Sequence, residues 1–134
     1  MLKLYTPCPY GLLRQGTCFE NAIKEIDTRI SDYRNEILIK SKCVCEIRDQ
    51  VYQTGYNKNL YLDACYLLLQ IKEYKEMIQN ALVNKIKNMN ELAHVKQTIS
   101  LYLLAFKRFV TNDEMKQLTD FIGLGVGSHG SCLP

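Results

Sequence analysis

The stretch that decides the fold is IKEIDTRISDYRNEILIKSKCVCEIRDQV, residues 23–51. Ile23, Ile26, Ile30, Tyr33, Ile37, Lys40, Val44, Ile47 and Val51 recur at alternating steps of three and four. A helix turning once in about 3.6 residues gathers such positions into one stripe, here sustained for about four heptads. One register of that stripe (Ile23, Ile30, Ile37, Val44, Val51) is β-branched throughout, and Lys40 is the single polar interruption. Glu25 to Arg29 and Glu36 to Lys40 add pairs spaced at four residues in the favourable order. The pattern predicts a helix over 18–53, about 54 Å long at 1.5 Å per residue. A helix of that length outruns a small globule unless a second long helix lies beside it.

Upstream, Thr17-Cys18-Phe19-Glu20 reads as a capping box opening this helix. Pro7, Pro9, Gly11 and Gly16 then make residues 1–17 an irregular arm whose leucines and tyrosines pack on something. Downstream, Gly55 can terminate the helix with a positive φ, and Asn57 or Asn59 can cap the next. The second helix is expected over 60–87, with a wide apolar stripe around Leu67, Leu68 and Leu69 that implies burial on more than one side. Asn88-Met89-Asn90 reads equally as a turn or as helix. Leu92, Val95, Ile99, Tyr102, Phe106 and Phe109 predict a third helix over 91–110. Thr111-Asn112-Asp113-Glu114 is a second capping box, opening a short helix over 112–122 that Gly123 ends. Residues 123–134 form a glycine-rich tail without periodicity, expected to be flexible. The fold class is therefore all-α: a long antiparallel, coiled-coil-like helical hairpin, joined by one further helix and a short C-terminal helix in a small bundle. Residues 18–122 form its single domain.

Composition agrees with this. The 134 residues include three prolines, seven glycines and no tryptophan, and nearly half are hydrophobic, which excludes collagen-like and disordered classes. No run of 18 apolar residues exists, so no transmembrane helix is expected, and the N-terminus lacks the apolar stretch of a signal peptide. An intracellular, cytoplasmic protein is the expectation, although a secreted chain already relieved of its signal would read the same. Six cysteines in such a setting are expected as free thiols. The net charge of +3 is small, but Lys85, Lys87, Lys96, Lys107 and Arg108 face only Glu91 across residues 83–110. That balance makes them a candidate basic face for a phosphate backbone.

Catalytic chemistry finds no constellation. The Gly123-Leu-Gly-Val-Gly segment follows a helix rather than a strand, and Ser128 lacks the glycine two positions earlier that a nucleophile elbow needs. Asp27, Asp32, Glu46 and Asp49 read as a solvated face rather than paired carboxylates. His94 has no matching ligand at helical spacing. Cys8, Cys18, Cys43 and Cys45 are a candidate zinc set, though their spacing is not that of two close pairs. The reading is of a protein that is not an enzyme and binds no cofactor. Tyr52, Tyr56, Tyr61 and Tyr66 cluster around the central turn, either as a partner-binding patch or as the seal of a hairpin tip.

Residues 64–78, ACYLLLQIKEYKEMI, resemble the middle of a tetratricopeptide-type helical repeat, with Tyr74 matching the tyrosine that starts its second helix. Over residues 22–122 the layout of long helix, glycine turn, second long helix with a Leu-Leu-Leu then Lys-Glu-Tyr run, and short trailing helices is similar to the helical hairpin core of the ESCRT-III family. That resemblance implies a membrane-remodelling subunit, but this chain has neither the strongly basic first helix nor the acidic C-terminal half. The residues themselves point to a non-catalytic interaction or assembly protein. Its seam is Ile23, Ile26, Ile30, Tyr33, Ile37, Val44, Ile47 and Val51, and its partner is a second copy or another helical protein. A small nucleic-acid-binding accessory protein is the alternative, followed by the ESCRT-III-like subunit and a cysteine-dependent zinc factor.

Overall fold

Gly55 and Asn57 turn the chain. Gly55 takes φ +88°, and its N–H donates to the Val51 carbonyl at 2.8 Å, closing the first long helix. The Asn57 side-chain oxygen accepts from the Asn59 and Leu60 N–H groups at 2.9 and 3.4 Å, capping the second. The structure, a computed structural model, describes residues 9–123. Its elements are α1 (Pro9–Thr54), α2 (Lys58–Phe106), a 3-10 turn (Lys107–Phe109) and α3 (Asn112–Ile122). No strand occurs among the described residues. The two long helices pack against each other, so the chain is the all-α helical hairpin that the seam requires.

The chain divides into two compact units, Lys24–Ile86 and Met1–Ile23 with Lys87–Pro134. In the first, Ile26, Ile30 and Ile71 are buried between α1 and α2. In the second, Leu12, Val95, Ile99 and Leu118 form the core, with Leu13, Phe19, Tyr102, Leu103, Val110, Phe121 and Ile122 packed around it. Here α3 is held at both ends. Thr111 and Glu114 make the expected capping box, with each side chain accepting from the other's backbone N–H, at 3.1 and 3.2 Å. Gly123 closes it in the left-handed conformation at φ +82°.

Three local expectations are corrected. Residues 9–17, read as part of an irregular arm, are helical: α1 begins at Pro9. Thr17 is accordingly no cap, and its hydroxyl donates to the Leu13 carbonyl one turn back at 2.9 Å. Helix 91–110 is not separate either, because α2 runs unbroken through Asn88-Met89-Asn90 to Phe106 and the 3-10 turn follows. The first correction has a packing cause. Gly16 is buried, and a Cβ built there would overlap the Phe121 ring of α3. Glycine costs an α-helix about 1 kcal/mol relative to alanine, and here it lets an aromatic ring lie against the backbone while Leu12 reaches the core. Gly16→Val is therefore expected to destabilise this unit by about 1–3 kcal/mol through overpacking. A second substitution, Phe121→Ala, should recover part of the loss in a thermal-melt double-mutant cycle; independent, additive losses would disprove the contact. Residues 1–8 and the 124–134 tail lie outside the described residues.

Candidate interaction surfaces

The seam residues line the α1 side of the hairpin. Ile26 and Ile30 are buried, and Ile23, Tyr33, Ile37, Val44, Ile47 and Val51 are half-buried. Tyr33 stacks at a tilt on Tyr74 of α2, ring centroids 5.8 Å apart. Lys40, the polar interruption, is accommodated there: its ammonium lies 5.8 Å from the Tyr74 ring centroid and 3.7 Å from Glu36. Much of the seam thus packs against α2 of its own chain. A shallow cleft between the helices is lined by Arg29 and Tyr33 of α1 and by Met77, Asn80 and Asn84 of α2, with no paired carboxylates among its lining residues.

At the hairpin tip the tyrosines do not close over the end. Tyr52, Tyr56 and Tyr66 stay 81%, 73% and 62% exposed. Tyr56 and Tyr61 approach with centroids 6.1 Å apart over a dent that Val44, Ile47 and Val51 floor. A hydrogen bond with the Cys65 thiol one turn away raises the Tyr61 phenol above its ordinary pKa, and the charges of Cys65 and Tyr56 add to the shift.

The five cations of the candidate basic face are dispersed. Lys85 forms an ion pair with Asp27 of α1 at 2.7 Å within the hairpin unit. Lys96 lies over the Phe121 ring, 5.6 Å from its centroid. Nine residues separate Lys87 from Lys96, two and a half turns, which sets them on opposite sides of α2. Lys107 and Arg108 are exposed on the 3-10 turn.

Cys18, Cys43, Cys45 and Cys65 are free thiols. Among the described residues no three His, Cys, Asp or Glu side chains are placed to hold a metal ion. Cys8, the remaining member of the candidate zinc set, lies outside them, as does Ser128. No described helix is long and apolar enough to cross a membrane.

The sequence shows that α2 is apolar on more than one side, but not which side its own chain leaves uncovered. Leu67 is half-buried toward α1, but Leu68 and Leu69 remain 53% and 54% exposed, so burial on a second side is not met within the chain. Further along the same unit Val83 and Ile86 are 66% and 58% exposed. In the other unit Leu101, Leu104 and Phe109 are exposed. Exposed apolar residues scattered singly are ordinary, whereas helical rows of them mark contact surfaces. Compared with protein-family models, curated proteins and solved structures, the chain matches none.

Proposed function

We propose that this chain is a non-catalytic assembly protein that self-associates by helix–helix contact. The supporting observation is the outward row on α2, where Leu62, Leu69, Val83 and Ile86 are each more than half exposed. An amphipathic surface helix turns polar residues to water; this helix offers apolar side chains on the side away from α1 as well. Self-association was expected from the α1 seam, but much of that stripe is occupied by α2, so the contact moves to the opposite side of the hairpin. The nucleic-acid reading has less support, because Lys85 and Lys96 are engaged within the chain and Lys87 and Lys96 point apart.

Light scattering during size-exclusion chromatography tests this. The expected mass at tens of micromolar is a multiple of the 15.5 kDa chain, falling toward 15.5 kDa on dilution. A mass of 15.5 kDa at every concentration rejects self-assembly and leaves a different helical partner.

A further inference from the structure

We infer that the partner is a second copy of this chain, docked antiparallel along α2 about a two-fold axis level with Tyr74; this rests on the self-assembly reading above. The face of α2 turned away from α1 carries its own heptad, from Leu62 to Ile86 in alternating steps of three and four, and every position in it is exposed. It spans about 36 Å of helix at 1.5 Å per residue. The row is self-complementary when read outward from Tyr74. Two residues away on either side stand Lys72 and Glu76, five away Leu69 and Gln79, nine away Cys65 and Val83, and twelve away Leu62 and Ile86.

A two-fold axis perpendicular to a helix makes each residue face the one equally far from the axis on the other copy. Lys72 of each chain then meets Glu76 of the other, giving two opposite-charge pairs at the centre. Cys65 meets Val83, and Leu62 meets Ile86, giving apolar layers at both ends. Leu69 covers the methylene stem of Gln79. In heptad terms every layer joins one register to the other, which is the layering of antiparallel coiled coils. Parallel pairing would set Lys72 on Lys72 and Glu76 on Glu76. Charged seam positions set register and orientation at some cost in affinity. Glu73 and Lys75 flank the axis on opposite rims, each near its own copy; solvated rim charges repel weakly. The run Lys72-Glu73-Tyr74-Lys75-Glu76 has no net charge, so nothing in it selects an anionic lipid surface or a phosphate backbone.

The test uses the full chain and exchanges the central charges. Lys72→Glu alone, or Glu76→Lys alone, places two like-charge pairs at the axis and should raise the dimer dissociation constant roughly tenfold or more in analytical ultracentrifugation. Both positions are exposed, so circular dichroism should keep the wild-type helical signal, and melts taken below the dimer dissociation constant should shift only by the small cost of like charges one turn apart. Two combinations should restore dimerisation: the doubly substituted chain with itself, and an equimolar mixture of the two single variants, in which one chain is acidic at both positions and the other basic. A dimer indifferent to these exchanges overturns this register while self-assembly by another face stands. Rescue by the double variant without rescue by the mixture also overturns it. A wild-type chain that is monomeric throughout overturns self-assembly and this inference together.

Discussion

Ile99→Ala is expected to lower the unfolding free energy by about 2–5 kcal/mol, among the largest losses available to a single apolar truncation in this chain. Ile99 is 0% exposed and sits among Leu12, Val95 and Leu118, where α1, α2 and α3 supply one small core. Removing three heavy atoms there takes away the transfer free energy of buried methyl and methylene groups. It also leaves a cavity, because residues on three helices cannot all move inward. Ile86→Ala deletes the same atoms from a side chain 58% exposed and is expected to change stability by less than about 0.5 kcal/mol unless the dimer is formed. Thermal melts of the two variants at low micromolar concentration should separate by roughly 10 °C. Equal melting temperatures would contradict the placement of Ile99 in the core and Ile86 outside it.

The parts of the fold legible in the sequence were those where a local signal and the tertiary structure agree. The stripe from Ile23 to Val51 needs a helical partner, and Gly55 with Asn57 supplies the turn that brings one. Thr111 to Glu114 is a capping box because the chain before it is extended, with Val110 at φ −92° and ψ 130°. The same Thr-x-x-Glu pattern at Thr17 is no cap, and nothing within those four residues distinguishes the two. The difference lies in Leu12 and Gly16, which hold the preceding turns helical by packing on residues about eighty to one hundred positions away in sequence. Local propensity is outweighed there by burial. The continuity of α2 did have a signal. Ile71, Ile78, Lys85, Leu92, Ile99 and Phe106 are spaced by seven without a break, so the heptad phase passes straight through Asn88-Met89-Asn90. Lys85 masks the pattern, being a cation at a core-facing position, and its pairing with Asp27 accounts for its place there.

The candidate surface was less legible because apolar content and apolar placement are different things. The run Leu67-Leu68-Leu69 shows that α2 is apolar on more than one side. Which of those sides its own chain covers depends on where α1 lies. Once α1 takes the side carrying Leu67, Ile71 and Tyr74, Leu69 is left to water. Lys72 and Glu76, neighbours one turn apart on a single helix, are also placed to complement a second copy about a two-fold axis.

Ile30→Glu is expected to unfold the hairpin unit rather than to split an assembly. If the α1 seam held the second copy, glutamates at Ile30 and Ile37 would lower the mass, provided the helices survive. Ile30 is instead 4% exposed, on the face of α1 that packs on α2 of the same chain. A carboxylate there loses its hydration between the helices, while Arg34, the cation one turn on, is exposed on α1 and offsets little of that loss. Leaving a buried charge unpaired costs about 3–5 kcal/mol, a large part of the roughly 5–15 kcal/mol that holds a domain folded. Far-UV circular dichroism at 25 °C should therefore show a loss of helix, with a lowered and broadened melt. Ile37→Glu, at a half-buried position, should lose less. Leu69→Glu, on the outward face of α2, should keep the full helical signal and lose only mass. A fully helical Ile30→Glu protein with reduced mass would reverse this assignment, placing the assembly contact on α1 and leaving the outward row of α2 as plain surface.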